Sequence, residues 1–236
     1  MIGWIRGFGP AAQRTGSSEL LRAGLGAAIG IALTGLVASL GAGLAVDGLP
    51  LLIAPMGASA VLLFVVPASP LAQPWSILCG NFVSAAVGVA AARAIPDPLA
   101  AAALAIAGAI VAMGLLRCVH PPSGAVALTA VLGGVPIHAQ GFAFLFVPVM
   151  LDSILLVAAA ILFNRLTGRS YPHRSHPPVH PHPPAVAPVL TDEDFDSVLA
   201  DYGEALDIGT DDLKALYTEL RGRAEQRLGE RTQVRP

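Results

Sequence analysis

The chain has 236 residues, of which 54% are hydrophobic and 13% are charged, and its formal net charge is −2. This apolar fraction exceeds that of an ordinary soluble domain, and no basic patch is present that would bind nucleic acid. The two cysteines, both inside apolar stretches, are too few for a disulfide framework or a structural zinc site. Composition therefore favours a membrane protein and argues against nucleic acid as a partner.

The charges divide the chain into regions. Between residues 23 and 164 the formally charged residues are Asp47, Arg93, Asp97, Arg117 and Asp152. Twelve of the sixteen carboxylates follow residue 190. This distribution predicts a cytoplasmic N-terminal lead at 1–22, a transmembrane domain at 23–168, a linker rich in His and Pro at 169–190 and a short helical cytoplasmic tail at 191–236.

Six apolar stretches follow one another in the transmembrane domain. Long stretches that predict spanning helices lie at residues 23–46, 75–94, 99–116 and 142–163. Shorter stretches at 51–66 and 121–132 carry the repeated motif Pro-x-Gly-Ala, at 55–58 and 122–125. We therefore predict an all-α, polytopic membrane protein with four long spans and two short, Pro/Gly-started segments in two repeats.

Two topologies fit this order of long, short and long stretches. If the short segments cross the membrane, there are six spans and the two repeats are inverted. If the short segments are re-entrant, there are four spans and the repeats are parallel. We favour the inverted arrangement, because it gives alternating access a simple geometry.

Small residues predict close helix packing at two places. Gly26 and Gly30 are four residues apart on the first span, and Gly80, Ser84 and Gly88 repeat this spacing on the next. Such faces favour a homo-oligomer. The Cys79 and Cys118 side chains are interpreted as small buried hydrophobes.

The start of the second short segment has the densest set of candidate functional groups. Arg117 and His120 precede Pro122, and a helix that begins there has free N–H groups that favour an anion. The predicted substrate-binding residues of both repeats are Pro55, Gly57, Ser59, Asn81, Arg117, His120, Pro121, Pro122, Ser123 and Gly124. Three alternatives stay open: Arg117 extending to a lipid headgroup, Gly57 and Gly124 serving helix packing, and Asn81 bridging helices.

Asp152 lies ten residues into the last predicted span, where a bare carboxylate is costly. Three interpretations stay open: Asp152 is paired with Arg117 or Arg93, it serves proton coupling, or it lies nearer the membrane interface than its place in the span indicates. The linker histidines have no fixed geometry for a metal site, and no cofactor motif is present.

The tail predicts two amphipathic helices. Thr191 caps the first, Gly209 ends it, and Thr210 begins the second. Two such helices form too small a core to stand alone, so we expect the tail to pack on a partner or on the membrane body.

The residues support two classes of function. One is a permease for a small anion in a lipid bilayer, and the alternative is a membrane scaffold or sensor that recruits a partner through its acidic tail. An enzyme is not expected, because no nucleophile–base pair is evident. Arginines before the first span and after the last one predict that both termini are cytoplasmic.

Several stretches resemble the HPP family of integral membrane proteins, named for a His-Pro-Pro triplet. The matching stretches lie at residues 51–60, 67–75, 80–81, 95–98, 117–128 and 164–168. Of the three His-Pro-Pro triplets in this chain, the one at 120–122 has the membrane context of that family.

This resemblance implies a bundle of membrane helices, and in plant members it is linked to nitrite movement across the chloroplast envelope. It makes nitrite the leading candidate substrate and implies a bacterial inner (plasma) membrane location. Many bacterial relatives carry a pair of CBS domains after the membrane part. This chain ends about where such a pair would begin, so regulation by adenine nucleotides is not expected.

Overall fold

The computed structural model describes residues 16–41, 52–173, 191–202 and 213–223. All regular elements among these residues are helical. The membrane body contains α1 (Ser17–Gly41), α2 (Pro55–Val65), α3 (Pro74–Ala94), α4 (Pro98–Leu115), α5 (Pro122–Leu132), α6 (Gly134–Gln140) and α7 (Leu151–Leu166).

Four of the described stretches are long and apolar enough to cross a membrane. They are Ser17–Leu40, Pro74–Ala94, Pro98–Leu115 and Gly134–Leu166, while Pro55–Val65 and Pro122–Leu132 are shorter apolar helices. The prediction of an all-α, polytopic membrane protein with four long and two short segments is confirmed.

Prolines determine where the body helices begin. α2, α3, α4 and α5 each have proline in the first turn, where its fixed φ suits a helix and its missing N–H costs nothing. Asp97 adds a side-chain cap to α4, because its carboxylate accepts the Ala100 N–H at 2.7 Å.

Two predicted segments differ from the observed ones. α1 begins at Ser17, six residues before the predicted start, because residues 17–22 continue the helix. The predicted span at 142–163 is interrupted: Val147 has an extended conformation (φ −133°, ψ 118°) within the π turn Phe146–Met150, and α7 begins at Leu151. Asp152 therefore lies in the first turn of α7 rather than in the middle of a continuous helix.

Contacts among α1, α2 and α7 define their directions. Gly26 faces Phe163 and Gly30 faces Leu156, so α1 and α7 are antiparallel. Residues at both ends of the α2 segment meet α7 in the same order, which makes these two helices parallel: Ile53 with Asp152, and Leu63 with Asn164.

A second set of contacts defines the directions of α3, α4 and α5. Trp75 meets Leu116 and Val87 meets Gly108, so α3 and α4 are antiparallel. α5 runs parallel to α3, as shown by the pairs Gly80 with Ser123 and Gly88 with Ala127.

α3 and α7 are antiparallel to each other. Arg93, near the end of α3, packs on the Phe142 ring before α7, whereas Asn81 meets Ser153. Taken together, α1, α3 and α5 run one way and α2, α4 and α7 the other. This alternation agrees with the six-segment arrangement and not with the re-entrant one, in which α3 and α7 would be parallel.

One end of the body is closed by charged side chains. Arg22 donates to Glu19, to the Asn164 side chain and to the carbonyl of Phe64, while Arg169 pairs with Glu19 at 2.6 Å. The beginning of α1, the end of α2 and the end of α7 therefore lie together.

The predicted small-residue faces are confirmed as packing surfaces. A Cβ added at Gly88 would lie 2.6 Å from the Ala127 carbonyl oxygen, and one at Gly26 would lie 2.5 Å from the Phe64 ring. Only glycine allows α3 and α5 to approach this closely.

The described tail residues form a separate compact unit. α8 (Asp192–Tyr202) begins with a reciprocal cap, as predicted: Asp194 accepts from the Thr191 N–H and hydroxyl, and its own N–H donates to that hydroxyl. These hydrogen bonds hold the pKa of Asp194 below its usual range.

The helix at 213–223 packs against α8 through an edge-to-face contact between Phe195 and Tyr217, with centroids 5.5 Å apart. Gly209, Thr210 and most of the linker at 169–190 lie outside the described residues.

Gly88→Ala is expected to destabilise the body by about 1–3 kcal/mol, because the new methyl group meets backbone that has no room to move. Unfolding by SDS in mixed micelles measures this. The matched control is Gly114→Ala on α4, where an added Cβ has no neighbour within 4 Å. Equal stability of the two variants would contradict the assigned α3–α5 contact.

Candidate functional site

The two short helices begin next to one group of buried polar side chains. We call this group the polar cluster, and it consists of Ser59, Asn81, His120, Ser123, Asp152 and Ser153, each 0% exposed. Its members come from α2, α3, the α4–α5 connection, α5 and α7. Buried polar groups in a membrane bundle are costly unless paired, so such a concentration indicates a functional site.

His120 joins the two repeats. Its Nδ1 lies 2.8 Å from the Leu71 carbonyl oxygen, so this nitrogen carries the hydrogen and donates it. Its Nε2 lies 2.8 Å from Ser59 Oγ. In the neutral ring Ser59 donates to Nε2. In the charged ring Nε2 donates instead, and the hydroxyl turns to the Pro55 carbonyl at 3.3 Å.

Asn81 links three helices through its side-chain amide. Its oxygen accepts from the Ser123 hydroxyl at 2.7 Å, and its nitrogen donates to Ser153 Oγ at 2.9 Å. Ser153 in turn donates to the Val149 carbonyl at 2.7 Å. The interpretation of Asn81 as an interhelical bridge is confirmed, and the bridge lies within the predicted binding region.

Asp152 connects the polar cluster to the start of α2. Its Oδ2 accepts the Ile53 N–H at 3.2 Å, and its Oδ1 has no hydrogen-bond partner among the described residues. The predicted pairing with Arg117 or Arg93 is wrong. Arg117 is exposed, and Arg93 packs on the Phe142 ring.

The first N–H groups of both short helices are already bonded. Met56 and Gly57 donate to the carbonyls of Ile53 and Ala54, and residues 123 and 124 donate to those of 120 and 121, at 2.9–3.1 Å. These bonds close tight turns between residues three apart. The expectation of free N–H groups at these helix starts is therefore wrong for these four, although the helix dipoles still point at the cluster.

The structure brings together only part of the predicted set. Ser59, Asn81, His120 and Ser123 meet directly, and the buried Pro55 and Pro122 begin the helices that carry two of them. Three predicted residues are exposed instead: Gly57, Arg117 and Pro121.

Gly57 and Gly124, the glycines of the repeated motif, were candidates for close helix packing, but their surroundings differ. An added Cβ at Gly57 would have no protein neighbour within 4 Å, and one at Gly124 would make an ordinary contact with Ile106 at 3.5 Å. Helix packing therefore does not explain Gly57. The tight position is Gly80, where a Cβ would lie 2.8 Å from the Cys118 carbonyl oxygen and 3.0 Å from Ser123 Oγ.

Sequence reasoning missed two contributors. Ser153, which follows Asp152 directly, was not predicted as a site residue, although a serine beside a buried acid was a usable signal. The Leu71 carbonyl fixes the His120 ring, and no sequence pattern marks a backbone carbonyl for that role.

Ser59 and His120 also have the spacing of a nucleophile and its base, so the expectation that no such pair exists is wrong. The third member is a carbonyl rather than a carboxylate, and neither side chain is exposed. A substrate bond does not reach this hydroxyl in the observed state, so the pair alone does not support hydrolysis.

Asn81→Leu is expected to lower stability by about 1–2 kcal/mol, because it removes both bridges and leaves the Ser123 hydroxyl unpaired. SDS unfolding in mixed micelles measures this. Thr129→Val is the matched control, since it removes a hydroxyl that bonds only within its own helix. A loss no greater than the control's would contradict a bridging role.

Comparisons with known proteins place this site in a family. The family model described as HPP, transmembrane region, matches residues 12–172. Two proteins of Dictyostelium discoideum, named only as transmembrane proteins, are each 40% identical over 126 residues, or 51% of this chain. The matched regions cover 44% and 40% of those relatives, so the chain spans less than half their length.

No solved structure matches this chain. The family model covers more than half of the sequence, including α1 to α7 and the whole polar cluster. The chain belongs to the HPP family of transmembrane proteins.

Proposed function

We propose that the protein is a permease for a small inorganic anion, with nitrite as the leading candidate. The observation that carries the proposal is that two short helices of opposite direction begin at one buried polar cluster. Discontinuous helices whose N-terminal ends meet inside a membrane bundle form the substrate sites of many transporters.

The packing of the two halves supports an inverted repeat. α1 packs on α2 as α4 packs on α5, and α2 runs parallel to α7 as α5 runs parallel to α3. The first half consists of α1, α2 and α3, and the second half consists of α4, α5 and α7. Each helix of the first half runs opposite to the corresponding helix of the second. Such halves can rock against each other around a fixed site, which is the geometry of alternating access.

The groups in the cluster suit a small planar oxyanion. Three hydroxyls, an imidazole and an amide can donate hydrogen bonds, and Asn81 uses one of its two N–H groups within the described chain. The dipoles of α2 and α5 add positive potential at the same place. Arg117, exposed beyond the end of α4, is suited to attracting anions rather than to holding them.

Charge at one end of the body supports an orientation. Arg22 and Arg169 lie together where α1 begins and α7 ends, and Arg165 is in the last turn of α7. An excess of arginine is typical of the cytoplasmic side, so this end, with both termini, is proposed to face the cytoplasm of a bacterial inner membrane.

The purified protein in liposomes is expected to take up nitrite faster than protein-free liposomes. His120→Ala should reduce the protein-dependent rate by about tenfold or more, because it removes the group that joins α2 to the α5 connection. His138→Ala, an exposed histidine outside the cluster, is the control. Unchanged uptake in the His120 variant would overturn the assigned site, and no uptake by the wild type would overturn nitrite.

The tail favours a second candidate function, that of a membrane scaffold or sensor. Val198 on α8 is 64% exposed, and Leu216 and Leu220 on the following helix are 50% and 58% exposed. Apolar side chains of this kind on an acidic helix pair are suited to recruiting a partner.

Deletion of residues 175–236 separates the two candidates. A permease whose site lies in the body is expected to keep its full rate of nitrite uptake in liposomes, because the polar cluster uses no tail residue. A protein that keeps its fold but loses all activity on this deletion would favour the scaffold or sensor.

A further inference from the structure

We propose that Asp152 binds the proton that accompanies the anion, so that transport is an electroneutral symport of one anion with one proton. This inference rests on the proposed permease function and adds the coupling ion and its site. It starts from Asp152, the one acidic member of the polar cluster. Only one of its two carboxylate oxygens has a hydrogen-bond partner among the described residues.

The Asp152 side chain is fully buried, and only one of its oxygens is bonded. Oδ2 accepts the Ile53 N–H at 3.2 Å, whereas Oδ1 has no partner among the described residues. A charged carboxylate in this position loses its hydration without full compensation. A proton on Oδ1 removes the charge, so the closed arrangement is suited to the neutral acid.

Among the residues that the structure describes, no cation from the packed elements compensates the carboxylate. On α1, Arg22 is bonded to Glu19, Asn164 and the Phe64 carbonyl. α2 has no titratable side chain, and on α3 Arg93 packs on Phe142. Cys79, also on α3, is a free cysteine and supplies no positive charge.

The remaining titratable groups near the cluster do not pair with Asp152 either. His120 is bonded to Ser59 and Leu71, and Arg117 is exposed. Asp47 lies outside the described residues. Among the described residues, a proton is thus the simplest neutralising partner of this acid.

The position of Asp152 explains how its charge is coupled to an anion. Its neighbour Ser153 bonds to Asn81, and its carboxylate bonds to Ile53 directly before α2, so it adjoins the proposed anion site on two sides. Two negative charges so close together in an apolar bundle repel strongly. Anion binding therefore favours the protonated acid, and by reciprocity protonation favours anion binding.

In each cycle the Asp152 carboxylate takes a proton from water on one side, and rocking of the two repeats then opens the bound anion and the neutral acid to the other side. The proton then leaves to water on the other side, and the carboxylate is regenerated. No net charge crosses the membrane when one anion accompanies one proton.

The experiment measures nitrite uptake into liposomes under an imposed proton gradient or an imposed membrane potential. Protein-free liposomes correct for diffusion of the undissociated acid. The wild type should accumulate nitrite up to about tenfold per unit of pH difference and respond little to potential. A trapped pH-sensitive dye should report one proton entering with each anion.

The variant Asp152→Asn is first shown to be folded by SDS unfolding in mixed micelles. It should lose accumulation driven by the proton gradient and gain uptake driven by potential, because the neutral amide lets the anion move alone. Asp97→Asn, at the exposed cap of α4, is the matched control and should behave like the wild type.

The outcomes separate the two proposals. No nitrite flux by the wild type overturns nitrite as the substrate, and with it the proposed coupling of nitrite to a proton. Wild-type flux without proton movement overturns the symport alone, and this test needs no variant. Gradient-driven accumulation that persists in Asp152→Asn overturns the assignment of Asp152 while leaving the permease intact.

Discussion

The interaction on which the site depends is the hydrogen bond between Ser59 and His120, since it holds the beginnings of two oppositely directed short helices together. A helix that starts inside an apolar bundle exposes polar groups where no lipid can satisfy them. Here the first N–H groups of each helix bond to carbonyls of the same helix start, and the side-chain bond between Ser59 and His120 connects the two starts. The need to give hydrogen-bond partners to the polar groups at the beginnings of α2 and α5 thus explains both the local turns there and the polar cluster.

Glycine makes this arrangement sterically accessible. The connection that carries His120 passes so close to α3 that a side chain at Gly80 would collide with the Cys118 carbonyl. Eight residues further along α3, Gly88 allows α5 to lie against the same face. The polar cluster therefore depends on the small-residue face of α3, because Asn81 on α3 reaches Ser123 on α5 only if these two helices are this close.

Much of the fold followed from local signals in the sequence. Apolar length defined the long spans, and prolines marked the beginnings of α2 to α5, because both effects act within one helix. The break at Val147 was missed because the apolar run continues through it, although Pro148 disfavours a helical conformation of the residue before it. The site was harder to predict: His120, Ser59 and Ser123 were recognisable as candidates, but the exposure of Arg117 and the isolation of Asp152 depend on how distant helices pack.

The hydrogen-bond network also constrains how any ligand is bound. In the observed state the Ser59 hydroxyl and the His120 imidazole bond to each other, and the Ser123 hydroxyl bonds to Asn81. In the proposed permease an anion must therefore displace protein hydrogen bonds to enter. That exchange costs part of the binding energy and favours weak, reversible binding, as a carrier requires. The same exchange would release the bond between the two halves. In the proposed permease, occupancy of the site and movement of the repeats are then one event, because His120, a proposed anion-binding group, also joins α2 to the connection before α5.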